Sequence, residues 1–160
     1  MPLNKHGLVR NCLGELYSDR VAFSARFYDK LFAQLPQVQR LFVHDRKKQE
    51  LMLYSTISMT MRGMEKGREL DAELMEFGRR HARIGVREEF FPVFGAVFLE
   101  TLIEFLPDWD HPQVASAWWG GYSDVCEVMV AGMRAERAEM DKGRRLFGSG
   151  AGVAVHRASG

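Results

Sequence analysis

Apolar residues recur every three to four positions along most of this chain, the period of an amphipathic α-helix. Leu8, Cys12, Leu13 and Leu16 make a first stripe. Ser18 or Asp19 can cap a second helix. Its inner face carries Val21, Phe23, Phe27, Tyr28, Leu31 and Phe32 and runs to about Gln34. Pro36 suits the first turn of a short helix that ends near Phe42. The polar stretch from His44 to Lys48 leads into a helix striped by Leu53, Ile57, Thr60 or Met61, and Met64, which breaks at Glu65-Lys-Gly-Arg.

Asp71 can start the next helix, which carries Leu74, Phe77 and His81, and Gly85 is placed as its left-handed stop. Glu88 and Glu89 suit the positive N-terminus of the helix that follows, and Pro92 is tolerated there because it lies in the first turn. Phe94, Val97, Phe98, Thr101, Leu102 and Phe105 continue that helix up to Leu106-Pro107. Asp110 can cap the last long helix, with Pro112 in its first turn and Trp118, Tyr122, Val125, Met129 and Met133 on its buried side. Beyond Met133 the pattern turns solvated, and Gly143 to Gly160 is rich in Gly and Ser. The expected division is one folded domain over 1–141 and a disordered tail over 142–160. Runs of period two bounded by turn residues do not occur, so the fold class expected is all-α.

Composition narrows the function. The chain has 160 residues with 46% hydrophobic and 27% charged, as in a soluble single domain. A net charge of +1 gives no general attraction to nucleic acid. Arg79, Arg80, Arg83 and Arg87 interleave with Glu76, Glu88 and Glu89, which reads as a solvated helix face. Cys12 and Cys126 sit in apolar helical patterns and read as buried free thiols, in keeping with a reducing cytoplasm. Apolar runs reach neither a signal-peptide core nor the roughly 20 residues of a membrane helix.

The candidate chemistry centres on His81. His6, His44, His111 and His156 share no metal-ligand spacing with it, so a zinc or di-iron site is not indicated. A lone histidine near a helix end, flanked by Phe77, Val86, Phe90 and Phe91, is suited to a cofactor needing one protein ligand and a large apolar slot. By itself each of these aromatics is as readily explained by core packing. Gln49 and Leu53 are one turn apart on one helix face, where the Gln49 amide either meets solvent at the helix edge or serves a bound ligand. Tyr28 stands among Phe27, Leu31 and Phe32, so its hydroxyl needs a partner, whether main-chain carbonyl, water or ligand.

The segments Phe27-Tyr28-Asp-Lys-Leu-Phe, Leu41-Phe42, Gly78-Arg-Arg-His81-Ala-Arg-Ile-Gly-Val, and Ala117-Trp118 followed by Tyr122 resemble the bacterial single-domain globins, relatives of the flavohaemoglobins without the reductase domain. The resemblance covers roughly residues 5 to 135 and rests on Tyr28, Phe42, Gln49, Leu53 and His81 in that order. Lys48 or Met52 could take the place of Gln49 if the preceding loop slips.

The resemblance implies a globin fold, a three-on-three helical sandwich around haem b (iron protoporphyrin IX). His81 would ligate a pentacoordinate iron, Phe42 would stack on the haem face and Leu53 would close the distal side. Tyr28 and Gln49 would donate hydrogen bonds to O2 or another diatomic gas, NO or CO, and two donors imply slow release of O2. His44 and Arg80 are candidate partners for the haem propionates, and Phe77, Val86 and Phe91 line the pocket. Phe91 and Met133 stand where flavohaemoglobins carry a Tyr and a Glu that polarise the iron-bound histidine, which weakens the case for fast turnover of oxygen. Nitric oxide dioxygenation with an external reductase is the leading activity. The alternative is a gas-sensing module that signals through its last helix to a partner or output domain, and a homodimer stays open. Nucleic acid and membrane are not expected partners.

Overall fold

The computed structural model describes residues 5–42 and 46–150. Seven helices follow in order: α1 (Lys5–Leu16), α2 (Arg20–Gln34), α3 (Pro36–Gln39), α4 (Arg46–Lys66), α5 (Asp71–Arg83), α6 (Phe90–Phe105) and α7 (Pro112–Gly150). Three-residue to four-residue 3₁₀ turns, Tyr17–Asp19, Gly67–Leu70 and Pro107–Trp109, join α1 to α2, α4 to α5 and α6 to α7. Among the described residues there is no strand, so the all-α expectation holds.

The core grows from aromatic side chains on α2, α6 and α7. Phe23 and Phe27 of α2 meet Phe98 edge-on at 5.5 and 6.1 Å between centroids. Phe98, Trp118 and Tyr122 then form a near-parallel stack at 4.5 and 5.1 Å. α1 packs its Val9, Cys12 and Leu16 into the same core. Each of these apolar side chains contributes roughly 1.5–3 kcal/mol when fully buried.

α5 lies antiparallel along α7, and two glycines set the separation. A methyl group on Gly78 would overlap the Met129 carbonyl oxygen, and one on Gly132 would overlap that of Met75. The two main chains therefore touch, and α5 is held against α7 more closely than side chains elsewhere in the fold permit.

α5 ends in a Schellman motif. Gly85 has φ +92°, its N–H donates to the Ala82 carbonyl at 3.1 Å, and the Val86 N–H donates to the His81 carbonyl at 3.0 Å. Only glycine takes this conformation without strain. At the start of α7 the capping group is the His111 ring rather than Asp110: its Nδ1 accepts from the Gln113 N–H at 3.1 Å.

The structure departs from the sequence pattern in two places. Val21 is 63% exposed: it shares the Tyr28 side of α2 but lies two turns earlier, on the rim of a surface depression. α7 also runs on to Gly150, past the boundary expected at 141. Gly and Ser disfavour a helix by up to about 1 kcal/mol each, but extending a helix already formed carries no nucleation cost.

Candidate functional site

Between α4 and α5 lies an apolar slot, floored by α2, α6 and α7. Its lining includes Tyr28 and Leu31 of α2; Phe42, which follows α3; Met52, Thr56 and Thr60 of α4; Phe77 and His81 of α5; Val86, Phe91 and Phe94; and Tyr122, Cys126 and Met129 of α7. The slot measures about 130 Å³, below the roughly 300–1,000 Å³ usual for ligand pockets. Two unbranched, adaptable methionines, Met52 and Met129, are part of the lining.

Among the described residues, His81 is the only basic side chain of this lining. Its Nδ1 lies 2.7 Å from the Phe77 carbonyl oxygen. A carbonyl can only accept, so Nδ1 carries the proton and Nε2 keeps an open lone pair. Burial holds the ring's pKa below its ordinary value, against the smaller opposing effect of that hydrogen bond. The Phe77 ring meets the imidazole edge-on at 4.5 Å between centroids, and the Phe91 ring stands 6.2 Å away. The result is a neutral imidazole of fixed tautomer and fixed plane, as a metal ligand requires.

Every hydroxyl in the lining donates to a main-chain carbonyl. Tyr28 gives to Gln49 at 2.8 Å, Thr56 to Met52 at 2.8 Å, Thr60 to Thr56 at 2.8 Å, and Tyr122 to Phe91 at 2.7 Å. Burial raises the pKa of both phenols. The slot is thus an apolar container whose own polar groups are satisfied, with one lone pair of a nitrogen base on one wall.

The residues expected from the sequence divide accordingly. Tyr28, Phe42, Phe77, His81, Val86 and Phe91 meet at the slot. Gln49 and Leu53 do not line it. Gln49 lines instead a surface depression that it shares with Val21, Ser24, Tyr28 and Asp29, and Leu53 is buried in the general core. The reason is rotational register: α4 turns Met52, Thr56 and Thr60, spaced by four, onto the slot. Arg80 faces away, 68% exposed, with its Nε 3.8 Å from Glu76 Oε1. His44 lies outside the described residues. Met133 is fully buried and not in the lining, so the Phe77 carbonyl, not a group on α7, is what His81 meets. The pattern Met52-Thr56-Thr60 was the available signal for the missed wall.

Comparison with known proteins agrees with this geometry. The globin family profile matches residues 25–129, the span from α2 to the middle of α7. The chain belongs to the globin family. A flavohemoprotein of Rhizobium meliloti is 29% identical over 77% of this globin chain, which spans 31% of that protein. Flavohemoprotein B of Dictyostelium discoideum is 27% identical, again over 77% of the chain and 29% of the relative. The chain thus spans about a third of the length of these relatives. Among solved structures, an engineered carbene transferase from Rhodothermus marinus, titled "putative nitric oxide dioxygenase", superposes with a TM-score of 0.71. It shares 23% identity, with 88% of this chain and 99% of that one covered. A bacterial globin from Campylobacter jejuni gives 0.65 at 20% identity, covering 86% and 97%. Both likenesses support an all-α globin fold for this chain.

Proposed function

We propose that this globin holds haem in the α4–α5 slot, with His81 Nε2 as the protein's nitrogen ligand to the iron, and that it binds diatomic gases on the opposite face. The observation that carries the reading is the 2.7 Å contact of His81 Nδ1 with the Phe77 carbonyl, which leaves Nε2 as the lone-pair nitrogen within an apolar lining. Bound haem, of type b, supplies an iron centre that takes O2, NO or CO. The chain's residues do the rest. The Phe77 carbonyl holds the proton on Nδ1 and fixes the imidazole plane. Phe42, packed edge-on against Tyr28 at 5.2 Å, braces the far wall. Phe91, Phe94 and Met129 exclude water. Two free thiols, Cys12 buried and Cys126 half-buried, suit a reducing cytoplasm.

Conversion of NO and O2 to nitrate, with an external reductase returning the iron to the ferrous state, is the activity this reading favours, in line with the Rhodothermus marinus neighbour, whose title names a nitric oxide dioxygenase. One observation supports gas sensing as a second reading: Glu136 on α7 binds Arg79 and Arg83 of α5 at 3.2 and 2.9 Å, so the helix carrying His81 is tied to the far part of α7. Nitrate formation with a supplied reductase separates the two.

The deciding experiment is haem reconstitution of wild type and His81→Ala. Wild type should give a Soret band and a carbon monoxide complex. His81→Ala should lose haem, or hold it weakly with recovery by free imidazole. Equal haem content and equal ferrous spectra in both would refute the assignment.

A further inference from the structure

We infer that this chain pairs with a second copy of itself along α7, the far end of each α7 seated in a groove beside the first half of the other. The pairing asks nothing of the slot or of what the slot holds.

The groove lies where the end of α4, the Gly67–Leu70 turn and the start of α5 meet α7, and it measures about 710 Å³. Met64 and Val128 give it an apolar floor. Gly121 keeps that floor low, because the Met64 side chain fills the space a methyl group there would need. The charged part of the lining is acidic: Asp71, Asp124 and Glu127 stand against Arg68 alone among the described residues. None of these three carboxylates enters an ion pair among the described residues.

The far end of α7 has the complementary character. Phe147 is 85% exposed and Leu146 76%, and both follow Lys142, Arg144 and Arg145. Lys142 pairs only with Glu139, at 3.9 Å and on an exposed surface, a contact of little strength. A basic tip bearing two large apolar side chains thus matches an acidic groove with an apolar floor.

The tip cannot fill the groove of its own chain. Asp124 and Phe147 lie on one continuous helix, about 35 Å apart along its axis. A second copy can fill both grooves at once. The face of α7 that carries Gly121, Asp124 and Val128 continues, at helical spacing, through Ala131, Ala135 and Ala138 to Leu146. Two antiparallel α7 helices laid along this face cross at the alanines, whose small side chains let the main chains come close. A two-fold axis at that crossing brings each tip to the other copy's groove. Arg145 and Glu127 lie on the same side of α7, about five turns apart, so each arginine meets the other copy's glutamate. The net charge of +1 sets no general repulsion between the copies.

The test is sedimentation velocity of the full chain at low salt over a wide range of concentrations. Wild type should form a dimer that weakens in high salt. Asp124→Lys/Glu127→Lys makes groove and tip both basic, and Arg144→Glu/Arg145→Glu makes both acidic. Each variant should be monomeric alone, with its helix content by circular dichroism unchanged, and the two mixed should form a heterodimer. Phe147→Ser, at a position too exposed to matter for folding, should weaken the wild-type dimer at least about tenfold. A wild type that stays monomeric at every concentration would overturn the pairing. So would a dimer that persists in both charge variants, a mixture that stays monomeric, or a Phe147→Ser dimer as tight as wild type.

Discussion

Tyr28 shows how one hydrogen bond changes an expectation. Its hydroxyl already donates to the Gln49 carbonyl at 2.8 Å, so donation to a gas means giving up that bond. A hydrogen bond to a charged acceptor contributes about 1.5–3 kcal/mol and a neutral one about 0.5–1.5, leaving a net of about 1 kcal/mol. Tyr28→Phe should therefore speed O2 release about fivefold. A stopped-flow change beyond about a hundredfold would mean that the hydroxyl faces the ligand outright. Gln49→Leu should leave the stretching frequency of bound carbon monoxide unchanged, because Gln49 is not among the residues that line the slot; a clear shift would restore the register expected from the sequence. His81, Phe42 and Tyr28 were readable because each carries a distinctive chemistry in a distinctive place. The α4 wall was not, since Leu51, Met52 and Leu53 are consecutive and a helical period fits any of three rotations. Packing decides: Leu51 is 67% exposed and Leu53 1%.

At the level of the helices, the α5–α7 contact sets where His81 stands. Sequence periodicity placed both helices and the α5 stop at Gly85, yet it gave no hint that Gly78 and Gly132 touch opposing main chains. A glycine inside a helix is a weak former until its partner is known. The pair Gly78→Ala and Gly120→Ala tests this directly. A methyl on Gly78 meets the Met129 carbonyl, whereas one on Gly120 meets nothing within 4 Å. Overpacking costs about 1–3 kcal/mol, or about 2–12 °C in Tm for a chain of this size. Gly78→Ala should fall by that amount and lose haem affinity as α5 is pushed off. Gly120→Ala should gain about 0.5–1 kcal/mol through helix propensity. Equal thermal unfolding of the two variants would remove the close seam as the feature that positions His81.

Over the whole molecule, α7 is both part of the core and an arm reaching beyond it, and ion pairs decide how firmly the arm is held. Glu136 joins Arg79 and Arg83 of α5. Glu88, just before α6, joins Arg134 at 2.8 Å, and the Arg137 guanidinium donates to the Val86 carbonyl at 2.8 Å. Val86 closes the Schellman motif on the His81 carbonyl, so the arm grips the segment that ends the histidine helix. The Glu136 carboxyl is held below its ordinary pKa by Arg83 first and Arg79 second, and Glu88 by Arg134. A carboxyl with a lowered folded pKa stabilises the folded state above its unfolded value, about 4.3, and that contribution is lost as the pH falls through the folded pKa. Being largely on the surface, these pairs should weaken in salt as well. Amide protection factors over 134–147, with the pH dependence of the intrinsic exchange rate divided out, should therefore be high at neutral pH and low salt, and should fall as the pH drops below about 4.3. The double variant Glu88→Gln/Glu136→Gln should show at neutral pH the low protection that wild type reaches only in acid or high salt. If carbon monoxide binding also changes exchange over this stretch in wild type but not in the double variant, the pairs carry the ligand state of the His81 helix into the arm. Identical exchange in wild type and double variant at neutral pH would mean that packing alone holds α7 and that the ion pairs transmit nothing.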